Sequence, residues 1–586
     1  MCGILGVIGQ NTKPYDSKIE SMLFCLTKRG PDEKGITPLS RGFFGQTRLS
    51  IIDISGGHQP MKDNKEDIVI TFNGEIYNYK ELKKELGKKG HIFSTKSDTE
   101  VIIKTYIEYG ENCVNHFEGM FAFAIWDENK KQLFCARDRF GEKPFYYALE
   151  SNNFIFASEI KAIYAATQKR FKIDKKSLDT YLTFMYVSPF RTIFEDVKVL
   201  PPASYLIYKD NKISINKYWS LKKTDRIIPY NEAKEEIKRL LGQSVKKMMV
   251  ADIEVGAFLS GGVDSTLITY FAQKESDHKL KTFSVGYEDY INELPYALEA
   301  SKKFNTDHYT LQVTGDSLDY IQMINEYFDE PHADSSNFPQ YLVSNLASTK
   351  VKVALTGDGA DELFYGYGWY WKHANLSWRH DFLEKLISSP FDSYIKRLQI
   401  FNSSDKNSLW LNQAPKFDYV PVEIKNSNID QLEKINLFDL TYYLPGQLLT
   451  KIDRMAMMNS LEIRCPFLDR ELVEFIFSLP NDYKTDLKNG KIILKEILAE
   501  IMPKKFVYRR KQGFGAPINK WLENEQLKKF IYSTLFEKQS NIDYILNKKM
   551  IKSIISEFYS GKTSNCYKVW SLLILELWLK KHYNYL

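Results

Sequence analysis

The sequence predicts a β-rich α+β domain, then an α/β domain with a parallel sheet, and finally a mostly helical end. The chain has 586 residues, which at roughly 150 residues per domain gives room for two to four domains. Its first part carries short apolar or alternating runs separated by Gly, Asn and Asp turns. Further on, strand-like and helix-like segments alternate, which is typical of a parallel sheet.

The first 200 residues supply the strands and helices of the α+β part. Apolar or alternating runs predict strands at Ile4–Ile8, Phe43–Ile52, Ile68–Phe72, Phe121–Trp126, Leu133–Ala136 and Phe154–Ala157. One amphipathic helix follows Asn78, and a second starts at Ser97, where Glu100 completes a capping-box pattern. We therefore expect sheets covered by helices.

A change of pattern near residue 210 predicts the domain boundary. Pro201 and Pro202 resist helix formation, and an Asp-Asn turn at 210–211 joins two strand-like runs. We place one domain at 1–210 and a second at 211–586. The second begins with a long helix pattern over 231–250, then alternates the strand-like GAFLS, TFSVG and VKVALTG with helices from Ser265 and Tyr296, and becomes mostly helical beyond about Tyr365.

Composition excludes several classes of protein. Hydrophobic residues make up 44% and charged residues 26%, the mix of a globular rather than a disordered or fibrous chain. A net charge of +6 is too slight to indicate a nucleic-acid partner. The six cysteines form no C-x-x-C pair, and there is neither a secretory leader pattern nor an apolar run of about 18 residues. We expect a cytoplasmic protein with no membrane partner that acts on small molecules.

Cys2 follows the initiator Met and is a candidate nucleophile. Removal of Met1 would leave a thiol and a free α-amine, with a pKa of about 8, on the same residue. Such an amine can accept the thiol proton and return it to a leaving amine, so no distant histidine is required.

Three further segments supply what an amide-hydrolysing thiol needs. Arg48 can bind a substrate α-carboxylate in bidentate fashion, and Asn73-Gly74 offers a side-chain amide and a backbone N–H for an oxyanion hole. Asp98, with help from Glu75, can receive an α-ammonium group. Each has an ordinary alternative: a surface arginine, a type I′ hairpin at Asn-Gly, and an acidic helix start.

Taken together, these segments resemble the class II glutamine amidotransferase domain over about 200 residues. The matching motifs are MCGI, RGPD (Arg29–Asp32), RLSIID (Arg48–Asp53), FNGEIYNY (Phe72–Tyr79), SDTE (Ser97–Glu100) and ARDRFGEKPFYY (Ala136–Tyr147). The resemblance implies an Ntn-hydrolase αββα sandwich in which Cys2 is the nucleophile, Asn73 and Gly74 are the oxyanion donors, and ammonia is the product. It also implies a glutamine site formed by Arg48, Leu49, Ser50, Ile51, Ile52, Asn73, Gly74, Glu75 and Asp98.

A second site is predicted at SGGVDS, residues 260–265, between a strand pattern and a helix pattern. Two glycines let backbone N–H groups point at one phosphate chain, and the helix N-terminus adds positive potential. Ser260 and Ser265 add hydroxyls, and Asp264 can hold a divalent ion. Because the loop lacks the Walker lysine, it suits pyrophosphate release, which indicates adenylation. An ordinary Gly-Gly turn is the alternative.

Two more segments carry charge that suits this chemistry. TGDGADE (Thr356–Glu362) follows a strand pattern, where Asp361 could be a second magnesium ligand and Asp358 could face the acceptor. Lys511, in YRRKQGFG, could neutralise an α-phosphate. The alternatives are an acidic helix start favoured by the macrodipole and a solvated basic surface.

The region from about Glu232 to Leu522 resembles the synthetase domain of glutamine-hydrolysing asparagine synthetases. Besides SGGVDS, the matching motifs are TFSVGYED (Thr282–Asp289), NELPYA (Asn292–Ala297), DEPHADSS (Asp329–Ser336), TGDGADELF (Thr356–Phe364), KIDRMAMMNSLEIRCPFLD (Lys451–Asp469) and RKQGFG (Arg510–Gly515). The resemblance implies an ATP-pyrophosphatase, or PP-loop, fold, with ATP and Mg²⁺ as cofactors, aspartate as the acceptor of an acyl-adenylate reaction, and dimerisation with a second copy of the chain. The implied ATP contacts are Leu259, Ser260, Gly261, Gly262, Asp264, Ser265, Val285, Thr356 and Gly357; Asp264 and Asp361 would bind magnesium, and Asp358 and Lys511 the acceptor or the intermediate.

The chain departs from the usual family pattern at positions on the acceptor side. Tyr365 replaces a glycine, His332 stands in DEPHADSS, Gly446-Gln447 replaces an acidic pair, and Tyr309 replaces one histidine of a pair. These changes leave open an alternative acceptor, such as a sugar uronic acid, a peptide carboxylate or a natural-product precursor. A protein that binds glutamine without turnover is a further alternative, but it would predict decay of one site, and both motif sets are complete.

Overall fold

The protein is described from a computed structural model, which covers residues 2–63, 65–224, 226–287, 292–313, 318–368, 370, 389–509, 515–536 and 540–583. Within these ranges, every helix is too short or too polar to cross a lipid bilayer.

The described residues of the first part of the chain form twelve strands. They are β1 Gly3–Ile8, β2 Glu33–Leu39, β3 Gly42–Arg48, β4 Met61–Asp63, β5 Ile68–Ile76, β6 Gly119–Asp127, β7 Gln132–Arg137, β8 Tyr146–Glu150, β9 Asn153–Ala157, β10 Val197–Val199, β11 Ser204–Lys209 and β12 Lys212–Lys217. They form two antiparallel six-stranded sheets with the orders β10-β8-β9-β1-β3-β2 and β12-β11-β7-β6-β5-β4. The residue before β1 therefore lies in the middle of the first sheet.

The two sheets pack face to face between layers of helices. The helices of this part are α1 Lys13–Asp16, α2 Ile19–Cys25, α3 Tyr79–Lys88, α4 Asp98–Tyr109, α5 Ile160–Thr167 and α6 Lys175–Phe184, with a 3₁₀ turn at Gly110–Asn115. Apolar side chains such as Ile4, Phe44 and Trp126 fill the space between the sheets. Helices α2 and α5 cover the first sheet, and α3 and α4 cover the second. The predicted αββα sandwich is confirmed.

Two local predictions in this part are wrong. The strand expected over Phe43–Ile52 ends at Arg48, and the four residues that follow form a buried loop. The hairpin alternative for Asn73-Gly74 fails because both residues lie inside β5.

The capping box at Ser97 is also incomplete. The Ser97 side chain accepts a hydrogen bond from the Thr99 N–H at 3.2 Å, as an N-cap should. Glu100, however, accepts from the backbone N–H groups of Ser94 and Thr95, at 2.8 and 2.7 Å. Glu100 therefore stabilises the loop before the helix and does not accept a hydrogen bond from the N-cap N–H group.

The hairpin of β11 and β12 spans the predicted domain boundary. Asp210 and Asn211 have φ angles of 50° and 59°, the left-handed conformation that a tight hairpin requires. Because β12 pairs with β11 as far as Lys217, this hairpin belongs to the second sheet throughout. The division at 210/211 stays a prediction.

The second part is built on a five-stranded parallel sheet. Its strands are β13 Val255–Phe258, β14 Lys281–Tyr287, β15 Asp307–Val313, β16 Val353–Leu355 and β17 Glu462–Arg464, in the order β15-β14-β13-β16-β17. Its first helices are α7 Tyr230–Met248, α8 Val263–Glu275, α9 Leu294–Phe304, α10 Leu318–Tyr327, α11 Asn337–Ser348 and α12 Ala360–Leu363. The predicted α/β architecture is confirmed, and the polar loops after β13 and β16 lie side by side because those strands are neighbours.

Apart from β17, the described residues beyond α12 are mostly helical, as predicted. It contains α13 Pro390–Leu398, α14 Ser403–Leu409, α15 Val422–Lys425, α16 Gln431–Phe438, a π-helix Asp439–Leu449, α17 Thr450–Met457, α18 Arg470–Ser478, α19 Ile492–Ala499, α20 Lys504–Val507, α21 Ile518–Glu523, α22 Glu525–Phe536, α23 Lys548–Tyr559 and α24 Cys566–Tyr583. Short 3₁₀ turns lie at Pro466–Leu468, Asn481–Tyr483, Asn541–Tyr544 and Thr563–Asn565. Helix α17 packs between the parallel sheet and the first domain, where its Asp453 meets Arg29.

Candidate active sites

Cys2 is buried at the centre of the first sheet, and both of its backbone polar groups are held by side chains. Its nitrogen donates to Asn73 Oδ1 at 2.9 Å, and its carbonyl oxygen accepts from Arg29 Nε at 3.1 Å. Arg29 in turn forms a bidentate pair with Asp453 at 2.8 Å on both arms. The position of the thiol-bearing residue therefore depends on groups from both domains.

Burial raises the pKa of the Cys2 thiol above its ordinary value. The positive amino terminus opposes this rise most strongly, and the Leu49 N–H, the Gln46 side chain and the Arg48 charge oppose it further. A thiol in this setting needs a base beside it to become a nucleophile, which is the role expected of an α-amine.

Asn73 and Gly74 lie beside Cys2 on strand β5. Asn73 uses Oδ1 to accept from Cys2, while its buried Nδ2 has no hydrogen-bond partner within the described ranges. A buried donor left without a partner is costly and is typical of a site that waits for a ligand. A Cβ on Gly74 would lie 2.1 Å from the Met120 carbonyl oxygen, and φ is +149°, so only glycine fits.

Asp98 begins helix α4 and hydrogen-bonds to β5 two residues beyond Gly74; Cys2, Asn73, Gly74, Glu75 and Asp98 are together called the pocket of the first site. Asp98 Oδ2 accepts from the Ile76 N–H at 3.0 Å. Burial raises the pKa of Asp98 to about 6, although the Ile76 and Thr99 N–H groups lower it. The carboxylate can therefore bind a cation at neutral pH and lose that ability in mild acid.

Glu75 is the second carboxylate of the pocket and is 5% exposed. Burial raises its pKa well above the ordinary value, and the negative charge of Glu462 raises it further, while Arg464 lowers it. Its Oε1 lies 3.6 Å from Arg464 Nη2. Arg464 comes from strand β17 of the second domain, so this pocket too contains a group from across the interface.

Arg48 organises the loop that follows β3. Its guanidinium donates to the carbonyl oxygens of Ile52, Asp53 and Ile54 at 2.8 to 3.1 Å and pairs with Glu33 at 3.2 Å. The Arg48 guanidinium is therefore bonded to the loop that directly follows it in the chain. The loop residues Leu49, Ser50, Ile51 and Ile52 are buried, and the Ser50 N–H donates to Asp32 at 2.8 Å.

The glycine loop of the second site joins β13 to α8. The hydroxyls of Ser260 and Ser265 lie 3.1 Å apart, and the Ser260 N–H donates to Ser265 Oγ at 3.2 Å. Gly261 has φ +74°, and a Cβ there would lie 2.7 Å from the Ala297 nitrogen. The loop is a tight turn at a helix N-terminus, the geometry that binds anions.

The other predicted nucleotide contacts lie at the same edge of the sheet. Leu259 directly follows β13, and Val285 lies on β14. Thr356 follows β16 and donates from Oγ1 to Asp358 Oδ2 at 2.6 Å. Gly357 lets that loop approach the glycine loop, because a Cβ there would lie 2.8 Å from Asp264 Cβ.

Asp264 and Asp361 lie close together, with Lys491 between them. The Lys491 ammonium lies 2.6 Å from Asp361 Oδ1 and also contacts Asp264 Oδ2. Burial would lower the pKa of Lys491, but the two carboxylates outweigh burial and raise it. This lysine was not predicted from the sequence. It stands in GKIILKE, where the preceding glycine is the only neighbouring residue that could point to a site.

Lys511, a predicted catalytic residue, lies outside the described residues. Arg509 ends the described segment before it and donates to the Gly261 carbonyl oxygen at 2.7 Å. On the other side, Gly515 lies beside Ser335. The two ends of the segment thus lie at the glycine loop and at the DEPHADSS motif.

Two of the departures from the family pattern meet in the interior. His332 Nε2 lies 3.3 Å from the carbonyl oxygen of Gln447, and Asn337 Nδ2 lies 3.2 Å from His332 Nδ1. Burial lowers the pKa of His332 to about 4, which leaves the imidazole neutral at pH 7. Tyr309 lies on β15 at the edge of the sheet.

The pairing of these two sites defines a class of protein, the amidotransferases that take nitrogen from glutamine in one domain and use it in a second, ATP-dependent domain. The family model for a glutamine amidotransferase domain matches residues 1–219, and the model for asparagine synthase matches residues 236–580. The chain belongs to the family of glutamine-hydrolysing asparagine synthetases.

Curated relatives match the chain over nearly its whole length. Glutamine-hydrolysing asparagine synthetase 1 of Bacillus subtilis is 33% identical over 99% of this chain and 96% of its own. Asparagine synthetase 3 of the same organism is 32% identical over 88% and 87%. A putative asparagine synthetase 2 of Methanocaldococcus jannaschii is 35% identical over 80% of this chain and all of its own. The protein is therefore a glutamine-dependent carbon–nitrogen ligase that uses ATP.

Proposed function

We propose that this protein transfers the amide nitrogen of glutamine to the side-chain carboxylate of aspartate and releases glutamate, asparagine, AMP and pyrophosphate. The observation that carries the proposal is the pairing of Cys2 with Asn73, whose Oδ1 accepts from the cysteine nitrogen while Nδ2 stays unpartnered among the described residues. Relatives over the full chain are named as asparagine synthetases, which supports aspartate as the acceptor.

Glutamine hydrolysis follows from the first site. After removal of Met1, the α-amine of Cys2 takes the thiol proton, and Sγ attacks the amide carbon of glutamine. Asn73 Nδ2 and the Gly74 N–H stabilise the oxyanion, and the amine returns the proton to the leaving nitrogen. Water then cleaves the thioester to glutamate.

The substrate is oriented by charges already in the pocket. Glu75 and Asp98 are the carboxylates available to the α-ammonium group of glutamine. Arg48 and the loop Leu49–Ile52 are assigned to the α-carboxylate, which would bind once Arg48 exchanges part of its bonding to the loop carbonyls.

The second site would activate the acceptor. An aspartate carboxylate oxygen attacks the α-phosphorus of ATP, and pyrophosphate leaves into the loop of Ser260, Gly261, Gly262 and Ser265. Ammonia then attacks the acyl carbon and AMP leaves. Lys491 neutralises phosphate charge, Asp358 faces the acceptor, and Lys511 is assigned to the α-phosphate or the intermediate.

The donor set of the second site fits Mg²⁺. Two carboxylates, Asp264 and Asp361, converge at the end of the parallel sheet, and magnesium typically takes one or two carboxylates together with substrate phosphates and water. When bound there, the ion would offset the charge that develops on the pyrophosphate.

Ammonia must pass from one site to the other without meeting bulk water, because protonated ammonia is not a nucleophile. The buried interface between the domains, which includes Arg29 and Asp453, fits this requirement. We place the reaction in the cytoplasm and expect a homodimer, in line with the family resemblance.

The contact of His332 with Gln447 favours a second candidate function, amidation of a carboxylate other than aspartate. Both positions depart from the usual family pattern, and neither the neutral imidazole nor the Gln447 amide offers a charge to an α-ammonium group, which leaves Asp334 as the carboxylate beside His332. An acceptor without an α-ammonium group, such as a sugar acid or a natural-product precursor, would suit this pair of residues.

The deciding experiment supplies ATP, magnesium and glutamine with a panel of carboxylates and follows pyrophosphate release. We expect release to depend on aspartate, with asparagine and AMP formed in equal amounts. Release with a uronic acid but none with aspartate would establish the second candidate. Formation of ADP instead of AMP would contradict both.

A further inference from the structure

Strand β17 of the second domain sends one side chain into the glutamine pocket of the first. Arg464 is fully buried, and its Nε donates to Glu462 at 2.7 Å. Its Nη1 donates to the carbonyl oxygens of Met248 and Val250 at 2.6 and 2.8 Å. These three bonds fix the plane of the guanidinium, since its five N–H donors have a rigid geometry.

The remaining nitrogen of Arg464 faces the glutamine pocket. Nη2 has no hydrogen-bond partner among the described residues and lies 3.6 Å from Glu75 Oε1. Glu75 Oε2 is also buried without a partner in the described part of the chain. Two buried groups that can carry opposite charges thus face each other, with bonding capacity left on both.

The balance of charge explains why a cation is needed there. Glu75, Asp98 and Glu462 bring three carboxylates into one buried region; Arg464 lowers the pKa of Glu75 and of Asp98, and the positive amino terminus lowers the pKa of Glu75 further. A buried carboxylate without a nearby cation becomes protonated and loses its attraction for an ammonium group. Glu75 can therefore bind an ammonium ligand only if Arg464 lies close to it. Arg464 must at the same time leave free the position at Glu75 where the ammonium group binds.

We propose that Arg464 is a positioning residue of the glutamine site, which aims the Glu75 carboxylate at the α-ammonium group of bound glutamine. The inference rests on the proposed function of that site. The first domain alone does not complete the site, because the guanidinium belongs to β17.

The main chain of Arg464 links the same residue to the nucleotide site. Its carbonyl oxygen accepts from the Thr356 N–H at 3.0 Å, and Thr356 bonds to Asp358. The position of the guanidinium is therefore set by the parallel sheet itself. Binding energy at Glu75 depends on the second domain being folded and docked.

The test compares glutamine-driven and ammonia-driven reactions of the full-length chain. Arg464→Gln removes the charge and keeps an N–H donor near the position of Nε, although the shorter side chain no longer reaches the carbonyl oxygens of Met248 and Val250. We expect the KM for glutamine, measured by glutamate release, to rise at least tenfold, while pyrophosphate release with aspartate and ammonium chloride stays within threefold of wild type. Arg464→Lys should raise the KM three- to fivefold, because an ammonium keeps the charge but not the fixed plane.

A double variant separates action through Glu75 from direct contact with substrate. In a Glu75→Gln background, Arg464→Gln should change the glutamine KM by less than twofold. Lys247→Met is the matched control, because Lys247 bridges the same two domains through Glu118 at 2.8 Å without touching the glutamine pocket. Its KM for glutamine should stay within twofold of wild type.

Several results would overturn the inference. They are an unchanged glutamine KM in Arg464→Gln, an equal loss of the glutamine-driven and ammonia-driven rates, and full additivity with Glu75→Gln. If Arg464→Gln does not fold, Arg464→Lys decides by the same criteria. If the Cys2→Ala variant releases glutamate as fast as wild type, the proposed function fails and the inference fails with it; Cys2-dependent hydrolysis with an unchanged glutamine KM in Arg464→Gln rejects the inference alone.

Discussion

The glutamine site and the nucleotide site carry buried charge in different ways. In the first, Asn73 Nδ2, Glu75 Oε2 and Arg464 Nη2 lack hydrogen-bond partners within the described ranges. In the second, Lys491 contacts both Asp264 and Asp361 and offsets one of their two negative charges. The first site thus holds its polar atoms ready for a ligand, whereas the second must exchange internal ion pairs for phosphate and metal when ATP binds.

This difference predicts how the two sites respond to mutation. Changes in a preorganised site should act mainly on the transition state, because its donors do not need to move. In the second site, where Lys491 is paired with both carboxylates, changes should act on nucleotide binding as well as on the reaction rate. Four measurements test this contrast between the two sites.

The largest effect is expected for Cys2→Ala. Glutamine hydrolysis should fall by about 10⁴-fold or more, because the covalent route is lost. Amidation driven by ammonium chloride should stay within twofold, since the second site is untouched. Cys25→Ala, which removes a half-buried thiol outside the pocket, is the control and should keep full glutaminase activity. Equal glutamate release by the Cys2 variant and wild type would show that the thiol is not the nucleophile.

Asn73→Ala should lower kcat for glutamine hydrolysis by about 10²- to 10³-fold, the usual loss for one oxyanion donor. Steady-state kinetics of glutamate release should show a glutamine KM within about threefold of wild type. A large rise in KM with unchanged kcat would mean that Asn73 binds the ground state, and the contrast between the sites would fail.

Lys491→Met should lower ATP–pyrophosphate exchange by about 100-fold, because two carboxylates then repel each other at the phosphate site. The KM for ATP should rise at the same time, whereas Cys2-dependent glutamine hydrolysis without ATP should persist. Lys488→Met, at an exposed position three residues away, serves as control. Loss of exchange with an unchanged ATP KM would indicate that the second site is as preorganised as the first.

The smallest effect is a pH dependence of glutamine use. The pKa of Asp98 is raised from its ordinary value to about 6, so the side chain loses its charge as pH falls through 6. The kcat/KM for glutamine should therefore decline below pH 6, by at most about tenfold per pH unit for this single group. Asp98→Asn should abolish this limb of the profile. A profile that is flat between pH 5 and 7 in wild type would exclude Asp98 from ammonium recognition.

Local chemistry allowed much of both sites to be predicted. The SGGVDS motif could be assigned to a phosphate loop from the sequence alone. Gly261 adopts a positive φ that other residues avoid, and the loop lies between a strand and a helix. Asn73-Gly74 was harder, because the same pair is typical of hairpins, and only the long pairing of β5 with β6 decides the matter.

The residues that were not predicted from the sequence contact partners that lie far from them in the chain. Lys491 meets Asp264 over 227 positions, and Arg464 reaches Glu75 from a three-residue strand. A single buried basic residue has no periodicity or spacing that marks it, so its partners become visible only when the fold brings them together. The loop after Arg48 was misread as strand because Leu49–Ile52 is apolar and buried, which satisfies a strand pattern without any strand pairing.

Arg29 has a consequence for engineering the two halves as separate proteins. One of its nitrogens donates to the carbonyl oxygen of Cys2, and the other two donate to Asp453 on helix α17. A fragment that ends at residue 210 would deprive this arginine of that carboxylate, leaving Glu159 as its remaining acidic partner in the described structure. Gene fission at this point would therefore disturb the surroundings of Cys2, and chimeras that exchange one half should carry both members of the Arg29–Asp453 pair from a single parent.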